Sequence, residues 1–335
     1  MFLGVRCTRS SGTKSRRPDD GALSAKVTAG TDVGSAPARS PRSGLRRDWT
    51  TPSLLGLPLV WLAVFFVVPI AIVVAFSVDV LSIESGPHEF SLRVWHDLFG
   101  GDPFLGHVYL KLFWKSVKMS LIVSAVIVLL AYPLAYYLAL SGTKRKYVLL
   151  LLLIAPFLTS YLLRVLAWKV ILGNNGVINT FLFWTGLRDP DHPLSQLLYS
   201  RFAVMLVLGY IWLPFVALPI FVSLESLDRR LLEAASDLGA SRLYAFRKVT
   251  LPLSLPGVVA AFLFVFIPTL GEFVTPSLVG GANGYMYGNQ IVDLFQTGFP
   301  DWETGAVLAI FLLGVVAILM LVFSRFLQPR QVSTG

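Results

Sequence analysis

The run Pro268-Thr269-Leu270-Gly271-Glu272-Phe273-Val274-Thr275-Pro276 sets a carboxylate inside an apolar segment, among residues that weaken a helix. An unpaired carboxylate in hydrocarbon is costly, so Glu272 must face protein or a water-filled cavity. Ionised on such a wall it favours a cation; hydrogen-bonded to a neighbouring helix it is a structural group. Residue type leaves both readings open. Arg164 poses the same alternative, between snorkelling to water and a gate or packing contact inside a bundle. Asp79, Tyr136, Tyr137 and Trp168 offer anionic or aromatic surfaces that a cation can use, although aromatic residues in apolar segments ordinarily just pack. His88, His96, His107 and His192 share no i,i+4 spacing and no zinc-motif spacing, so they read as solvated loop residues. The lone Cys7 excludes a disulfide within the chain and a cysteine metal cluster. No G-x-x-x-x-G-K-[ST], G-x-S-x-G or H-E-x-x-H pattern occurs. The chain is therefore expected to be no enzyme, and to hold neither metal nor cofactor.

What must position these residues is a membrane bundle. The 335 residues are 55% hydrophobic and only 14% charged, which no ordinary soluble domain matches. Crossing about 30 Å of hydrocarbon takes about 20 apolar residues as helix. Six segments qualify: Leu54–Val78, Ser116–Leu140, Tyr147–Leu172, Phe202–Leu224, Gly257–Val279 and Gly305–Phe326. Prolines 58, 69, 133, 156, 214, 219 and 268 fall within them, as bundled helices around a pathway tolerate. The expected fold is all-α and polytopic, with a transmembrane domain over residues 49–328. Residues 1–48 are rich in Ser, Thr, Gly, Pro and Arg without apolar periodicity, and read as a disordered tail. They carry ten Lys and Arg against four Asp, most of the net charge of +9. Charge in a tail rather than on a folded face suits anionic lipid, not nucleic acid. The tail lacks a signal peptide's apolar core, so it is expected in the cytoplasm; a start codon assigned too far upstream gives the same pattern. Residues 329–335 form a second cytoplasmic tail.

Lys and Arg near the span ends orient the bundle. Arg46 and Arg47, the run Lys144-Arg145-Lys146, the group Arg229, Arg230, Arg242, Arg247 and Lys248, and finally Arg325 and Arg330 all fall on one side if both termini are cytoplasmic. Lys111, Lys115 and Lys118 run against that trend.

Between the fourth and fifth spans, residues 228–252 are hydrophilic yet patterned. Asp228 can cap a first helix, in which Leu231, Ala234, Ala235 and Leu238 share a face. Gly239 sits where a left-handed C-cap ends it at least steric cost. Ser241 can cap a second short helix with Leu243, Phe246 and Val249 on one side, and Pro252 and Pro256 punctuate the return to the membrane. The product is an elbow whose apolar side chains need a cover, either lipid headgroups or protein.

The spacing Glu233-Ala234-Ala235, three residues, Gly239, nine residues, Val249, one residue, Leu251-Pro252 resembles the EAA loop of ATP-binding-cassette importer permeases, with valine for the usual isoleucine. In that family the loop docks in a groove of the cytoplasmic ATPase. The resemblance implies that Glu233, Ala234, Ala235, Gly239, Leu251 and Pro252 couple this chain to a dimer of ATP-binding subunits, where ATP and Mg are bound. Pro156 to Trp168 with Leu172 to Asn179, and Gly271 to Pro276 with Leu278, Gly280, Gly281 and Gly288-Asn289-Gln290-Ile291, resemble the spermidine/putrescine branch. So does Phe299 to Ala306, although Glu303 stands where that branch has an apolar residue. The likeness covers about residues 50–328. It implies a multi-pass protein of the bacterial inner membrane that moves polyamines by alternating access. A second, related permease and a periplasmic or lipid-anchored binding protein complete the assembly. Glu272, Arg164, Trp168 and Asp79 are the expected pathway residues. The alternatives are a permease of the same type for iron, phosphonate or another small solute, and an ion-coupled secondary transporter. The latter would need intramembrane relays and repeats that the sequence does not display.

Overall fold

The computed structural model describes residues 50–81, 90–101, 103–140, 146–187, 189, 192–296 and 301–327. The expectations for both tails, for His88 and for Lys144 and Arg145 lie outside these residues. Chain contacts separate Met1–Leu55 from Gly56–Gly335, and the architecture below belongs to the second unit. Among the described residues there is helix but no strand.

Helices α1 (Thr50–Ser77), α2 (Pro103–Leu140), α3 (Lys146–Ile154), α4 (Tyr161–Leu172), α5 (Val177–Trp184), α6 (Arg201–Glu225), α7 (Arg229–Asp237), α8 (Leu251–Leu270), α9 (Tyr287–Gln296) and α10 (Trp302–Leu327) carry the fold. Five helical segments are long and apolar enough to cross a membrane, and a bent pair makes a sixth when counted as one.

The core is the trio α2, α6 and α8. Along α2, Ser116, Ser120 and Ser124, then Ala131, Ala135 and Ala139, recur every four residues and are all buried. In lipid the hydrophobic effect does not press helices together, so close approach along small residues does that work. Against this stripe α6 sets Val204, Val207, Leu208, Ile211, Ala217, Ile220 and Leu224, all buried. A second cluster joins the α2 start to α9 and α10. The Phe113 ring meets Tyr287 at 5.4 Å and Phe311 at 5.1 Å, edge to face. The Tyr287 N–H donates to Ser116 Oγ (2.8 Å), and its hydroxyl donates to the Leu308 carbonyl (3.2 Å). Helix α1 differs: the stretch from Leu59 to Val68 is apolar all round and exposed.

Two expected spans are not straight helices. The third, expected over Tyr147–Leu172, bends by 85° between Lys146–Leu158 and Tyr161–Trp184. Pro156 cannot donate to the preceding turn, and Ala155–Leu158 tightens to a 3-10 turn. Thr159 then runs extended, its hydroxyl donating to the Pro156 carbonyl (2.7 Å). The fifth, expected over Gly257–Val279, starts earlier and stops sooner. Its helix runs from Arg242 through a π-turn at Phe246–Thr250 into α8 and ends at Leu270. Pro252 therefore lies in the first turn of α8 and does not break it, because the widened turn just before it absorbs the missing donor.

Candidate functional site

The elbow forms from local signals. The Asp228 carboxylate accepts the Arg230 N–H (3.0 Å), capping α7. At the other end Gly239 adopts φ +77°, a left-handed conformation. Its N–H donates to the Ser236 carbonyl (2.9 Å) and the Ala240 N–H to the Ala235 carbonyl (3.0 Å), the paired bonds of a Schellman cap. Ser241 Oγ accepts the Tyr244 N–H (3.3 Å) and starts the next helix. That helix is continuous with the fifth span, so the expected second short helix is the foot of a long one.

The inner side of the foot is pinned by one ring. Phe246 meets Tyr132 at 5.8 Å and Tyr136 at 5.6 Å, both edge to face, and the Tyr132 hydroxyl pairs with Ser254 Oγ at 2.9 Å. Tyr136 thus packs against the foot of the elbow. A Lys146–Glu225 ion pair ties α3 to the end of α6 beside it. The outer side is bare. No residue of α7 is buried; Glu233 and Ala234 are exposed, and Leu231, Leu238, Leu243 and Tyr244 form an open apolar surface. Ala235 and Leu251 are less open.

The second constellation gathers where both bent spans break. Gly271–Phe273 interrupts the helix, leaving main-chain donors of the next turn without carbonyls. Glu272 Oε1 accepts two of them, from Val274 (3.0 Å) and Thr275 (3.2 Å). It also accepts the Tyr161 hydroxyl from the first turn of α4 (2.9 Å), and that hydroxyl lies 2.6 Å from Thr275 Oγ1. The carboxylate is half-buried. Helix α9 clamps the break from behind. Buried Asn289 donates to the Phe273 carbonyl (2.9 Å) and to Ser277 Oγ (2.7 Å), while its own carbonyl accepts the Met286 N–H (3.1 Å). Gly288 lies so close that a Cβ there would stand 2.5 Å from the Gly271 carbonyl oxygen.

One turn beyond Tyr161, Arg164 is 9% exposed, and its guanidinium lies 4.3 Å from the centre of the Phe157 ring. A straight third span would lift Arg164 about 26 Å from the cytoplasmic start, to the outer boundary. The bend removes that geometry, and the side chain is buried against an aromatic face instead of reaching water. Phe157 continues into a cluster that sequence reasoning missed: Phe157–Phe215 at 4.1 Å, Trp212–Phe215 at 5.5 Å and Phe215–Phe264 at 5.6 Å. Trp168, next along α4, meets Tyr210 at 5.4 Å. Glu272, Tyr161 and Arg164 thus share one neighbourhood with an aromatic wall. Asp79 does not join it. It lies two residues beyond α1 at φ +60° and lines a separate cavity of about 320 Å³ with Arg93, Asp97, Tyr109 and Asp301. Tyr161 carried no local signal, since its partner lies 111 residues away.

Comparison with known proteins bears on what this arrangement serves. Residues 51–333 match the family described as the binding-protein-dependent transport system inner membrane component. The spermidine/putrescine transport system permease protein PotB of Escherichia coli K12 is 39% identical over 221 residues, covering 66% of this chain and 79% of that protein. PotB of Haemophilus influenzae is 34% identical over 265 residues, covering 79% and 90%. PotC of Haemophilus influenzae is 38% identical over 155 residues, covering 43% and 59%. Among solved structures, a chain of the bacterial alginate ABC transporter in complex with alginate-pentasaccharide-bound periplasmic protein superposes with a TM-score of 0.61. It is 19% identical and covers 86% of this chain and 97% of its own, a likeness of fold.

Proposed function

The chain belongs to the binding-protein-dependent transport system inner membrane components, as a permease subunit of an ABC importer, and on that premise we propose that it carries polyamines. The observation that carries the proposal is the Glu272 site, a half-buried carboxylate at a helix break that accepts the Tyr161 hydroxyl, with the Phe157 and Phe215 rings on the same bent span's side of the site. A carboxylate beside aromatic faces suits a primary or secondary ammonium group. The PotB likenesses at 34–39% identity support the same substrate class.

The elbow, Glu233 to Gly239 with Leu251 and Pro252, lies in the cytoplasm with both termini and docks on a dimer of ATPase subunits that bind ATP and Mg. Its bare apolar face gives the ATPase a surface to cover, and the Phe246 ring passes displacement to α2 and to the fifth span. A second, related permease completes the channel, in keeping with the likeness to PotC. A substrate-loaded external binding protein delivers the amine on the opposite side. Closure of the ATPases moves the elbows, and the broken third and fifth spans reorient about Glu272 and Tyr161.

Uptake of labelled spermidine and putrescine by the complete complex tests this reading. Glu272→Gln is expected to weaken amine uptake while the protein stays in the membrane, and Gly239→Asp to abolish it for any substrate. An absence of amine uptake by the native complex would overturn the polyamine assignment.

A further inference from the structure

Lys111, Lys115 and Lys118 run against the charge trend of the other loops, and neither the elbow nor the Glu272 site uses them. Spacings of four and three place them on one face of α2. They line a groove of about 1430 Å³ together with Arg201 at the start of α6. Two of these cations are built into the protein. Lys115 Nζ donates to the Tyr285 carbonyl (2.8 Å) and Arg201 Nε to the Asn283 carbonyl (3.1 Å). Among the described residues none of the four takes part in an ion pair. Below the cations the lining is apolar, with Met119 and Ile122, and Trp114 stands among the lysines.

Depth gives the groove a direction. Counted along α2 from Leu140 at 1.5 Å per residue, Ile122 stands about 27 Å up, Lys118 about 33 Å and Lys111 about 43 Å. A bilayer has about 30 Å of hydrocarbon and about 40–45 Å with its headgroups. With Leu140 at the inner edge of the hydrocarbon, Lys118 and Lys115 therefore stand in the far headgroup layer, at the end opposite the elbow. Lys111 stands just beyond it, within a lysine side chain's reach, and Ile122 stands at acyl depth. An acidic soluble protein would match the charge but leave the apolar lining wet. A second permease would have to bring carboxylates to the edge of the hydrocarbon, where they are costly. We infer that the groove seats an anionic phospholipid, its phosphate held by Lys111, Lys115, Lys118 and Arg201 and an acyl chain lying along Met119 and Ile122. Assigning it to the outer leaflet rests on the orientation proposed above; the site itself does not.

The test uses the assembled importer in nanodiscs of phosphatidylethanolamine with and without phosphatidylglycerol. Native mass spectrometry counts retained lipid on the native chain and on a Lys111→Gln/Lys118→Gln variant, which keeps the two cations bonded to backbone. Phosphatidylglycerol is expected to stay with the native complex and to bind the variant about thirtyfold more weakly, from two lost lysine contacts. A photocrosslinking residue at Ile122 in the otherwise native chain is expected to label phosphatidylglycerol, which keeps the test valid should the variant misassemble. Equal retention by native and variant complexes, or labelling of the second permease or the binding protein in place of lipid, would overturn the inference. Accessibility of a cysteine at Leu238 reports orientation separately: labelling from outside the cell would move the lipid to the other leaflet and leave the site standing.

Discussion

Replacing Gly239 with alanine isolates one backbone angle. The residue sits at φ +77°, and a Cβ built there meets nothing within 4 Å, so the substitution adds no clash. What remains is the left-handed penalty for an L-residue, about 1–2 kcal/mol. Helix α7 has only nine residues and none is buried, so tertiary packing cannot absorb that cost. The penalty falls on the cap, whose two bonds come from the Gly239 and Ala240 N–H groups. Hydrogen exchange at these two amides should quicken about five- to thirtyfold in Gly239→Ala. Gly239→Asn should fall between, because asparagine tolerates the left-handed region. The thermal midpoint of the complex should hardly move, since the α2, α6 and α8 core is remote from the cap. Substrate-driven ATP turnover should drop in the order glycine, asparagine, alanine. If the alanine variant exchanged as slowly as the native chain and turned over normally, the claim that this left-handed cap holds the elbow would be refuted.

Four further outcomes follow from the same geometry. Tyr161→Phe removes a side-chain donor to Glu272 and should cost about 1.5–3 kcal/mol in thermal unfolding, as for a bond to a charged group, with weaker amine uptake. Asn289→Leu leaves the buried Met286 N–H without its acceptor, while the Phe273 carbonyl keeps its bonds from Ser277, and should destabilise by about 1–3 kcal/mol in the same assay. Phe246→Ala, which strips two edge-to-face contacts from the foot of the fifth span, should lower stability by about 2 kcal/mol and uncouple ATP turnover from transport. Tyr285 lies outside the spans, and burial, then its bond to Asp293 Oδ2 (2.6 Å), raises its hydroxyl above the ordinary pKa of 10.0. Its stabilising contribution is therefore whole below pH 10 and lost as pH rises through the raised value, so Tyr285→Phe should flatten the alkaline limb of a stability–pH profile.

The elbow was legible because its signals are local. Asp228, Gly239 and Ser241 each act on backbone within three residues, and the structure gives each its expected role. The bundle was legible from apolar length alone. The breaks were not, because hydropathy runs unbroken through Pro156 and Thr159, and through Gly271 and Phe273. A tolerated proline and a helix-ending one look alike until the neighbouring turn is known. Glu272 stood out as a buried charge, yet its partner Tyr161 reads as one more aromatic residue in an apolar run. Asp79 lies apart from Glu272 for a related reason: the end of a span places a residue in depth but not around the bundle.

At the break in the fifth span, two main-chain donors are held by a side chain instead of by a helical carbonyl. A rung of ordinary helix can be lost only by bending the chain, whereas this one can be released by turning a single carboxylate. An ammonium ion that draws Glu272 toward itself would compete with the Val274 and Thr275 amides for the same oxygen. Occupancy of the pathway and order in the turn beyond it then become two readings of one equilibrium, and amide exchange at Val274 and Thr275 should rise when amine binds.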